Sequence, residues 1–317
     1  MGLAQSCAVV DGVLIIKKEA GWTSHDVVAK VRHLLGEVKV GHAGTLDPAA
    51  TGVLPVLIGR GTRIAEYLVE WDKEYSAVLR LGETTDTQDA TGTVLARCAT
   101  DSVTPEAIHE VVGRFRGPIE QVPPMYSAVK VKGVPLYRSA RAGKTIARNA
   151  RKIVIHTLEV EGIETRDVAL RIVCSKGTYV RTLCADIGEA LGVGGHMLAL
   201  ERRRVGPMTI GHALTVNEIV ARHALGQLGD DLLSLDCALD HLEIAVIDEQ
   251  TVDRVRHGAP VPADKILRWE GGADAARVAQ APIRVHDTGG RLVAIGKYQD
   301  ASSGALKTEK VLIDQDI

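Results

Sequence analysis

The sequence predicts an α+β protein, with a body built on a mixed, largely antiparallel sheet with flanking helices and a small β-rich C-terminal domain. Three observations predict this fold class. Segments with the two-residue alternation of strands are interspersed with a few capped helices. The texture of the sequence changes near residue 241. A chain of 317 residues is long enough for one large and one small domain. We therefore expect domains over residues 9–238 and 241–317.

The first predicted elements are a strand, a helix and a buried strand. GVLIIKKEAG (12–21) is rich in apolar and β-branched residues and ends in glycine, which is typical of a strand. TSHDVVAKVRHLLG has apolar residues at helical spacing, with Thr23 or Ser24 as the N-cap and Gly36 after its end. VLPVLIG (53–59) indicates a buried strand, and TRIAEYLVE after it has helical periodicity.

The middle of the chain predicts a hairpin, a helix and more sheet. EYSAVLRLGETTDTQDATGTVLA has two alternating segments around an acidic, threonine-rich loop. TPEAIHEVVGRF (104–115) is a helix with Thr104 before its first turn. KIVIHTLEVEGI and VALRIVCSKGTYVRTL have strand patterns, and ADIGEALG begins a helix.

The end of the chain, from residue 241, predicts a small β-rich unit. TVDRVRHG indicates a short helix that ends at Gly258. RVHDTGGRLVAIGKYQ indicates a hairpin with its turn at residues 288–290, and KVLID indicates a final strand.

Composition excludes several classes of protein. The five cysteines are scattered with no Cys-x-x-Cys pair, which argues against zinc ligation and disulfides and favours a reducing, cytoplasmic location. No apolar run is long enough to span a bilayer, so we expect no membrane partner. The net charge of −2 says nothing about a polyanionic partner, which local clusters must indicate instead.

GHAGTLDPAATG (41–52) places one acid, Asp47, among small residues. It is not a phosphate loop, because the lysine and Ser/Thr of that motif are missing. GHAG also fits the G-x-x-G clamp of KH domains, although four residues are a weak match. Small neighbours would let a substrate approach Asp47 closely. The alternative is a turn in which Asp47 merely precedes Pro48.

A basic tract indicates contact with nucleic acid. Residues 130–152 hold eight Lys/Arg and no Asp/Glu, with Tyr126 and Tyr137 nearby. A mobile loop of this kind could follow a phosphate backbone, and the alternative is a solvated charged face.

GTYVRTL supplies a second candidate group. On a strand, Tyr179 and Arg181 would share one face and offer a stacking ring and a cation. An arginine beside an acid favours its ionised form. The alternative is a surface ion pair.

Together these residues resemble the TruB family of pseudouridine synthases, which act on uridine 55 in the T arm of tRNA. The similarity covers most of residues 12–210, and its blocks are GVLIIKKEAGWTSHDVV, GHAGTLDPAATGVLPVLIGRGTR, KEYSAVLRLGETTDTQDATG, PPMYSAVKVKGVPLYRSAR and SKGTYVRTLCADIGEALG. RVRHGAPVP and the GRLVAIGKY hairpin are more loosely similar to a PUA-type RNA-binding domain. Two positions depart from the family pattern. Glu19 replaces a usual proline, and Glu201 replaces a common basic residue, which puts one phosphate contact in doubt.

The resemblance implies a pseudouridine-synthase fold and a role for each matching residue. Asp47 is the essential carboxylate, Tyr75 lies against the base near the C5 proton, and Arg181 pairs with Asp47 and Asp89. The implied uracil pocket and RNA contacts are formed by further residues, which are Tyr179 and Leu200 at the base, His42 inside the T-loop, and Lys130 in a basic loop over about 124–152. The implied contacts to the RNA backbone are Lys132, Arg138, Arg141, Lys144, Arg148, Arg202 and Arg203.

The implied reaction isomerises uridine to pseudouridine in the T-arm stem-loop of tRNA, without cofactor or metal, by a protein that we expect to be monomeric. Asp47 could attack C1′, add to C6 or take a proton from C2′, and the residues do not distinguish these routes. Two other functions stay open. A non-catalytic RNA-binding or folding-assistant protein would use only the basic loop and the C-terminal domain. A glycoside-type hydrolase would use two carboxylates, for which Asp86 and Asp89 are available.

Overall fold

The computed structural model describes residues 11–36, 39–127, 129–131, 133–144, 146–270, 281–298 and 304–314. Its helices are α1 (Ser24–Leu34), α2 (Ala65–Leu68), α3 (Pro105–Arg114), α4 (Leu136–Arg141), α5 (Val180–Ala190), α6 (Val216–Ala224) and α7 (Glu249–Arg256). Its strands are β1 (Gly12–Lys18), β2 (Val40–His42), β3 (Thr51–Ile58), β4 (Lys73–Leu81), β5 (Glu83–Thr85), β6 (Val94–Arg97), β7 (Gly117–Gln121), β8 (Lys130–Val131), β9 (Val134–Pro135), β10 (Arg151–Glu164), β11 (Asp167–Cys174), β12 (Gly195–Val205), β13 (Met208–Thr209), β14 (Leu232–Leu233), β15 (Ile244–Ile247), β16 (Ile266–Glu270), β17 (Pro282–His286), β18 (Leu292–Tyr298) and β19 (Leu306–Val311).

One large sheet organises the body of the protein. Its strand order is β14-β1-β3-β12-β4-β11-β10-β7, with β2 beside β3 and β13 beside β12. The pairs described in this sheet are antiparallel except β12 with β3, which run parallel over two residue pairs, Glu201 with Thr51 and Arg202 with Gly52. The predicted mixed, largely antiparallel sheet is therefore confirmed, and β12 joins its two antiparallel halves.

The predicted capped helices are present for the expected reasons. Thr23 caps α1 and forms a capping box with Asp26, each side chain bonding to the other's backbone N–H. Thr104 caps α3, whose first residue is Pro105. Because apolar residues recur at helical spacing, each helix buries one face against the sheet.

Three apolar clusters fill the body. One packs α3 and α5 against β4, β10 and β11. A second packs α1 and α6 against β1 and β3. A third covers the other side of β1 and β3 and includes Leu57, Leu68, Ile295 and Leu312. The third cluster therefore contains side chains from both the large sheet and the C-terminal part of the chain.

The C-terminal part forms a separate five-stranded sheet in the order β16-β15-β17-β18-β19, so the expected β-rich unit is present. The predicted hairpin corresponds to β17 and β18. Polar contacts also tie this sheet to the body. Arg63 donates to the carbonyl of Val311, and Lys310 pairs with Glu66 at 2.8 Å.

Two local predictions were wrong. The strand expected through GTYVRTL ends at Cys174, and α5 begins at Val180 with Tyr179 as its N-cap. The strand β4 pairs with β11 and β12 in the large sheet, so the hairpin consists only of the short β5 and β6. The helical periodicity predicted for TRIAEYLVE is confirmed, because a 3-10 helix over Gly59–Ile64 continues into the single turn of α2. In the two wrong cases long-range pairing or packing overrides the local pattern.

No helix in the part of the chain that the structure describes is both long and apolar enough to cross a membrane.

Gly52 provides a test of the junction between β3 and β12. Its φ is +104°, and a Cβ there would lie 2.2 Å from the carbonyl oxygen of Arg202. We expect Gly52→Ala to lower the free energy of unfolding by more than about 2 kcal/mol, because it adds overlap to backbone strain.

Gly113→Ala is the matched control for this substitution. Gly113 lies on an exposed part of α3, and a Cβ added there would have no atom within 4 Å. Alanine should therefore raise the free energy of unfolding by about 0.5–1 kcal/mol, because it is the better helix former. Denaturant unfolding measures both variants, and a change of stability in the same direction for the two would contradict the prediction.

Candidate active site

Asp47 lies in the loop between β2 and β3, and the backbone on both sides of it is anchored. The Ser24 hydroxyl accepts from the N–H of Leu46 at 2.8 Å and donates to the carbonyl of the same residue at 3.1 Å. The Lys18 ammonium donates to the carbonyl of Pro48 at 3.2 Å. These contacts come from α1 and β1, so the position of the carboxylate is determined by the packed body of the protein.

Arg181 is placed between two carboxylates. Its Nη2 donates to Oδ2 of Asp47 at 2.5 Å, and its Nη1 donates to Oδ2 of Asp89 at 3.2 Å. The exposed fraction of the side chain is 8% for Arg181, 11% for Asp89 and 40% for Asp47. The shared arginine is therefore enclosed, and Asp47 alone of the three presents substantial surface to a substrate.

Asp89 has a different environment from Asp47. Its Oδ1 accepts from the hydroxyl of Thr87 at 2.8 Å, and from the N–H and hydroxyl of Thr91 at 3.0 and 2.6 Å. With Arg181 on Oδ2, both oxygens of Asp89 are hydrogen bonded. Such a carboxylate serves as an anchor for the arginine, because it has little capacity left for a new partner.

The ionisation of Asp47 depends on opposing effects. Burial raises its pKa above the ordinary value, the charge of Arg181 lowers it, and the charge of Asp89 raises it again. The pKa of Asp47 is raised overall. The local sequence indicated only the effect of the arginine, whereas burial, which a linear pattern does not reveal, is the largest of these effects.

Tyr75 and Leu200 lie on the neighbouring strands β4 and β12. Tyr75 is buried, and burial raises the pKa of its hydroxyl, while the nearby Arg202 lowers it. Leu200 is partly buried and packs against two of the apolar clusters. Both therefore belong to the apolar interior at the junction of the two half-sheets.

Tyr179 is held by Gln121, a side chain that was not among the candidates predicted from the sequence. The amide of Gln121 donates to the carbonyl of Tyr179 at 3.1 Å and accepts from its N–H at 2.8 Å. Gln121 is 2% exposed at the end of β7. Because Tyr179 caps α5, this pair determines where the helix begins and where Arg181 projects. The available signal was the alternation in β7, which places Gln121 on the buried face.

His42 ends β2 and is partly buried. Among the described residues its Nδ1 has no hydrogen-bond partner. Burial lowers the pKa of His42, and the charges of Arg202 and His25 lower it further. The neutral imidazole is therefore favoured, which suits stacking against a base.

The basic tract forms a small structured segment with exposed cations. Lys130 lies in β8, which pairs with β9, and Arg141 is the last residue of α4. Arg138 and Lys144 are exposed, and Arg148 donates to the carbonyl of Pro123 at 3.2 Å. Lys132 lies outside the described residues.

The expected contact between Arg202 and the RNA backbone does not fit the structure. Arg202 is 2% exposed, and its guanidinium faces the protein interior, where it donates to backbone carbonyls. Arg203 next to it is exposed and pairs with Glu201 at 3.2 Å. The contact implied by the resemblance was wrong for Arg202 because alternate residues of a strand point to opposite faces, and in β12 Arg202 is buried where Arg203 is exposed.

Two buried lysines were also missed. Lys18 has no exposed surface and donates to the carbonyls of Glu19, Trp22 and Pro48. Lys73 is 7% exposed and donates to the carbonyls of Val69 and Trp71. Burial lowers the pKa of each to about 8. Alternation was the signal, because Lys18 is in phase with the inward residues of β1 and Lys73 with those of β4.

The described residues contain no cluster of three or more His, Cys, Asp or Glu side chains that could hold a metal ion. The chemistry available from the residues described above is that of a carboxylate held by an arginine beside a buried tyrosine.

Comparison with known proteins identifies relatives along most of the chain. This chain is 43% identical over 288 residues to the tRNA pseudouridine synthase B of Geotalea uraniireducens (strain Rf4). The match covers 86% of this chain and 93% of the relative. The chain is 48% identical over 230 residues to the protein of the same name from Thermobifida fusca (strain YX), covering 70% and 78%.

Solved structures support the same assignment. A Cbf5-Nop10-Gar1 complex contains a chain that is 31% identical with a TM-score of 0.75, covering 95% of this chain and 84% of that one. An H/ACA ribonucleoprotein bound to a substrate RNA containing 2′-deoxyuridine contains a chain that is 29% identical with a TM-score of 0.74, covering 96% and 86%.

The fold and these similarities define the class of protein as a pseudouridine synthase, which is an isomerase. Residues 32–180 match the N-terminal domain of TruB family pseudouridylate synthases, and residues 181–246 match the C-terminal domain of tRNA pseudouridylate synthase B. The chain belongs to the TruB family.

The burial of Lys18 predicts a pH-dependent contribution to stability. Its pKa is about 8 in the folded protein, against 10.5 when unfolded. Between these values the unfolded chain binds more protons, so the contribution of Lys18 to the free energy of unfolding rises with pH. We expect the free energy of unfolding of the wild type minus that of Lys18→Met to increase from pH 8 to 10. Denaturant unfolding at several pH values tests this, and Lys73 is common to both proteins and cancels. A difference that stayed constant or decreased would contradict the prediction.

Proposed function

We propose that this protein isomerises uridine 55 in the T arm of tRNA to pseudouridine, with Asp47 as the essential carboxylate. Membership of the TruB family supports the broader statement that it is a tRNA pseudouridine synthase. The observation that carries the proposal is the contrast between two acids that share Arg181. Asp89 is fully hydrogen bonded, whereas Asp47 is 40% exposed in a loop anchored on both sides.

The reaction needs one well-placed carboxylate and no external energy. The C1′–N1 bond breaks, the uracil turns and C5 bonds to C1′, and the hydrogen from C5 is released while N1 gains a proton. The change is redox-neutral. Attack by Asp47 on C1′, addition to C6 and proton removal from C2′ all need the ionised acid near the ribose. An arginine fixed by a second carboxylate can supply that environment without moving.

The target base must leave the helical stack before Asp47 can reach it, at a cost of a few kcal/mol. Stacking of bases on rings is worth roughly 1–3 kcal/mol each and can offset this. In the proposal the neutral His42 takes the place of the extruded base. Tyr75, Tyr179 and Leu200 line the uracil pocket, and Tyr75 lies near the departing C5 proton.

The rest of the chain binds the tRNA in this proposal. The catalytic domain spans residues 9–238, and its loop over about 124–152 holds phosphates through Lys130, Lys132, Arg138, Arg141, Lys144 and Arg148. Arg203 contributes from β12, where Glu201 partly offsets its charge. The C-terminal domain over 241–317 is PUA-like and adds RNA contact. We propose a monomeric, cytoplasmic enzyme.

Replacing Asp47 tests the central assignment. We expect Asp47→Asn to reduce pseudouridine formation in a T-arm stem-loop to background while binding the RNA normally, because the fold and the basic loop are retained. Release of tritium from C5-labelled uridine measures the reaction, and filter binding measures affinity.

Asp86→Asn is the control, since Asp86 is an exposed acid of the β5–β6 hairpin whose Oδ1 accepts from the N–H of Thr93. Near wild-type turnover by Asp47→Asn would refute the assignment. Binding without any tritium release by the wild type would indicate a non-catalytic RNA-binding protein, and release of free uracil would indicate a hydrolase.

Replacing Asp89 separates two of its effects, which are the anchoring of Arg181 and the shift in the pKa of Asp47. Asp89→Asn should lower kcat by about 10- to 100-fold, because a hydrogen bond to a charged group is worth about 1.5–3 kcal/mol. The charge of Asp89 raises the pKa of Asp47, so its removal should lower that pKa. The acid limb of the kcat profile should therefore move to lower pH. A limb that moved to higher pH, or a variant with unchanged kcat, would contradict this role.

A further inference from the structure

Arg202 occupies the point at which the two half-sheets meet. On one side its backbone pairs in parallel with Gly52 of β3, the strand that follows the Asp47 loop. On the other side it pairs antiparallel with Tyr75 of β4. Arg202 therefore lies directly between β4, which carries Tyr75, and β3, which begins where the Asp47 loop ends.

The side chain of Arg202 binds the Asp47 loop through its backbone. Nε donates to the carbonyl of Val53 at 2.7 Å, Nη2 to that of Gly44 at 2.9 Å and, more weakly, Nη1 to that of Thr45 at 3.4 Å. These carbonyls precede and follow Asp47 in the chain. One rigid guanidinium thus holds both ends of the loop, which a lysine with a single ammonium could not do with the same geometry.

The same guanidinium lies beside Tyr75. Its charge lowers the pKa of the Tyr75 hydroxyl, against the larger effect of burial. Across the described residues, Arg202 forms no ion pair with a carboxylate at contact distance. A buried charge whose hydrogen-bond partners are neutral carbonyls and the Tyr75 hydroxyl is costly, so its presence calls for a role that an apolar residue could not fill.

Gly52 of the GHAGTLDPAATG motif makes the close approach of β12 possible. A Cβ at Gly52 would lie 2.2 Å from the carbonyl oxygen of Arg202, whereas one at Gly44 would meet Nη1 at an ordinary contact distance of 3.5 Å. Part of the room that the small residues leave is therefore occupied by Arg202 and its strand.

From these observations we propose that Arg202 is a positioning residue, which fixes the Asp47 loop relative to Tyr75. The inference rests on the proposed function, because it concerns the distance between the essential carboxylate and the base-contacting tyrosine. It assigns Arg202 no contact with RNA.

The test uses Arg202→Lys and Arg202→Met in the full-length protein, with Arg204→Lys as the matched control. Arg204 lies two residues further along β12, and its guanidinium donates to the carboxylate of Glu74 at 3.2 Å and to the carbonyl of Gly206 at 3.0 Å. Single-turnover tritium release from C5-labelled tRNA is measured well below the melting temperature of each variant. It therefore gives the rate per folded molecule. Filter binding at several salt concentrations gives the affinity and its salt dependence.

We expect both Arg202 variants to lose about 100-fold in the rate of tritium release, the cost of a displacement of about 1 Å between reacting groups. Their affinity for tRNA and its salt dependence should match those of the wild type. Arg204→Lys should retain the wild-type rate.

Three results would overturn the inference. An unchanged rate in Arg202→Lys and Arg202→Met would remove the positioning role. A salt dependence that decreased by about one unit of slope in Arg202→Met would indicate a phosphate contact instead. Failure of Arg202→Lys to fold would show that the residue serves the stability of the sheet. A wild-type enzyme that released no tritium would refute the proposed function itself, which is a distinct outcome.

Discussion

The structure of the site depends on one enclosed arginine shared by two carboxylates. A buried guanidinium is tolerated only with charged or hydrogen-bonding partners in good geometry, and Arg181 has Asp89 and Asp47. The two acids are not equivalent. Asp89 is hydrogen bonded at both oxygens, so it keeps Arg181 in place whatever happens at Asp47. If Asp47 loses its charge, Arg181 therefore still has one anionic partner, Asp89.

Further cations lie inside the body around this pair, and they bind backbone carbonyls. Lys18 reaches the carbonyl after Asp47, Arg202 reaches carbonyls before and after it, and Lys73 caps the end of the α2 segment. Each loses hydration on burial, which lowers its pKa. Apart from the carbonyl of Val53 in β3, the carbonyls that they bind belong to irregular backbone, which is how a loop can be as firmly positioned as the sheet beside it.

Much of the fold could be predicted because its signals are local. Apolar, β-rich composition predicted β1, strand patterns predicted β10 and β11, and cap residues predicted the start of α1 and α3. The strand predicted through Tyr179 and Arg181 was wrong, because the start of α5 depends on Gln121, which is 58 residues away in the chain. The predicted hairpin pairing of β4 was wrong for a related reason, because its partners β11 and β12 come many residues later in the chain.

For the site, sequence alone determined which residue types are present. These are an acid among small residues (Asp47), a tyrosine on an alternating strand (Tyr75) and an arginine in GTYVRTL (Arg181). The resemblance to the TruB family added their expected roles. Only the tertiary structure decided that Arg181 bridges Asp47 and Asp89, that Arg202 points inward, and that burial raises the pKa of Asp47. These properties depend on burial and on contacts between residues up to 158 positions apart in the chain. A linear pattern cannot specify them, because it carries no information about which side chains exclude water from one another.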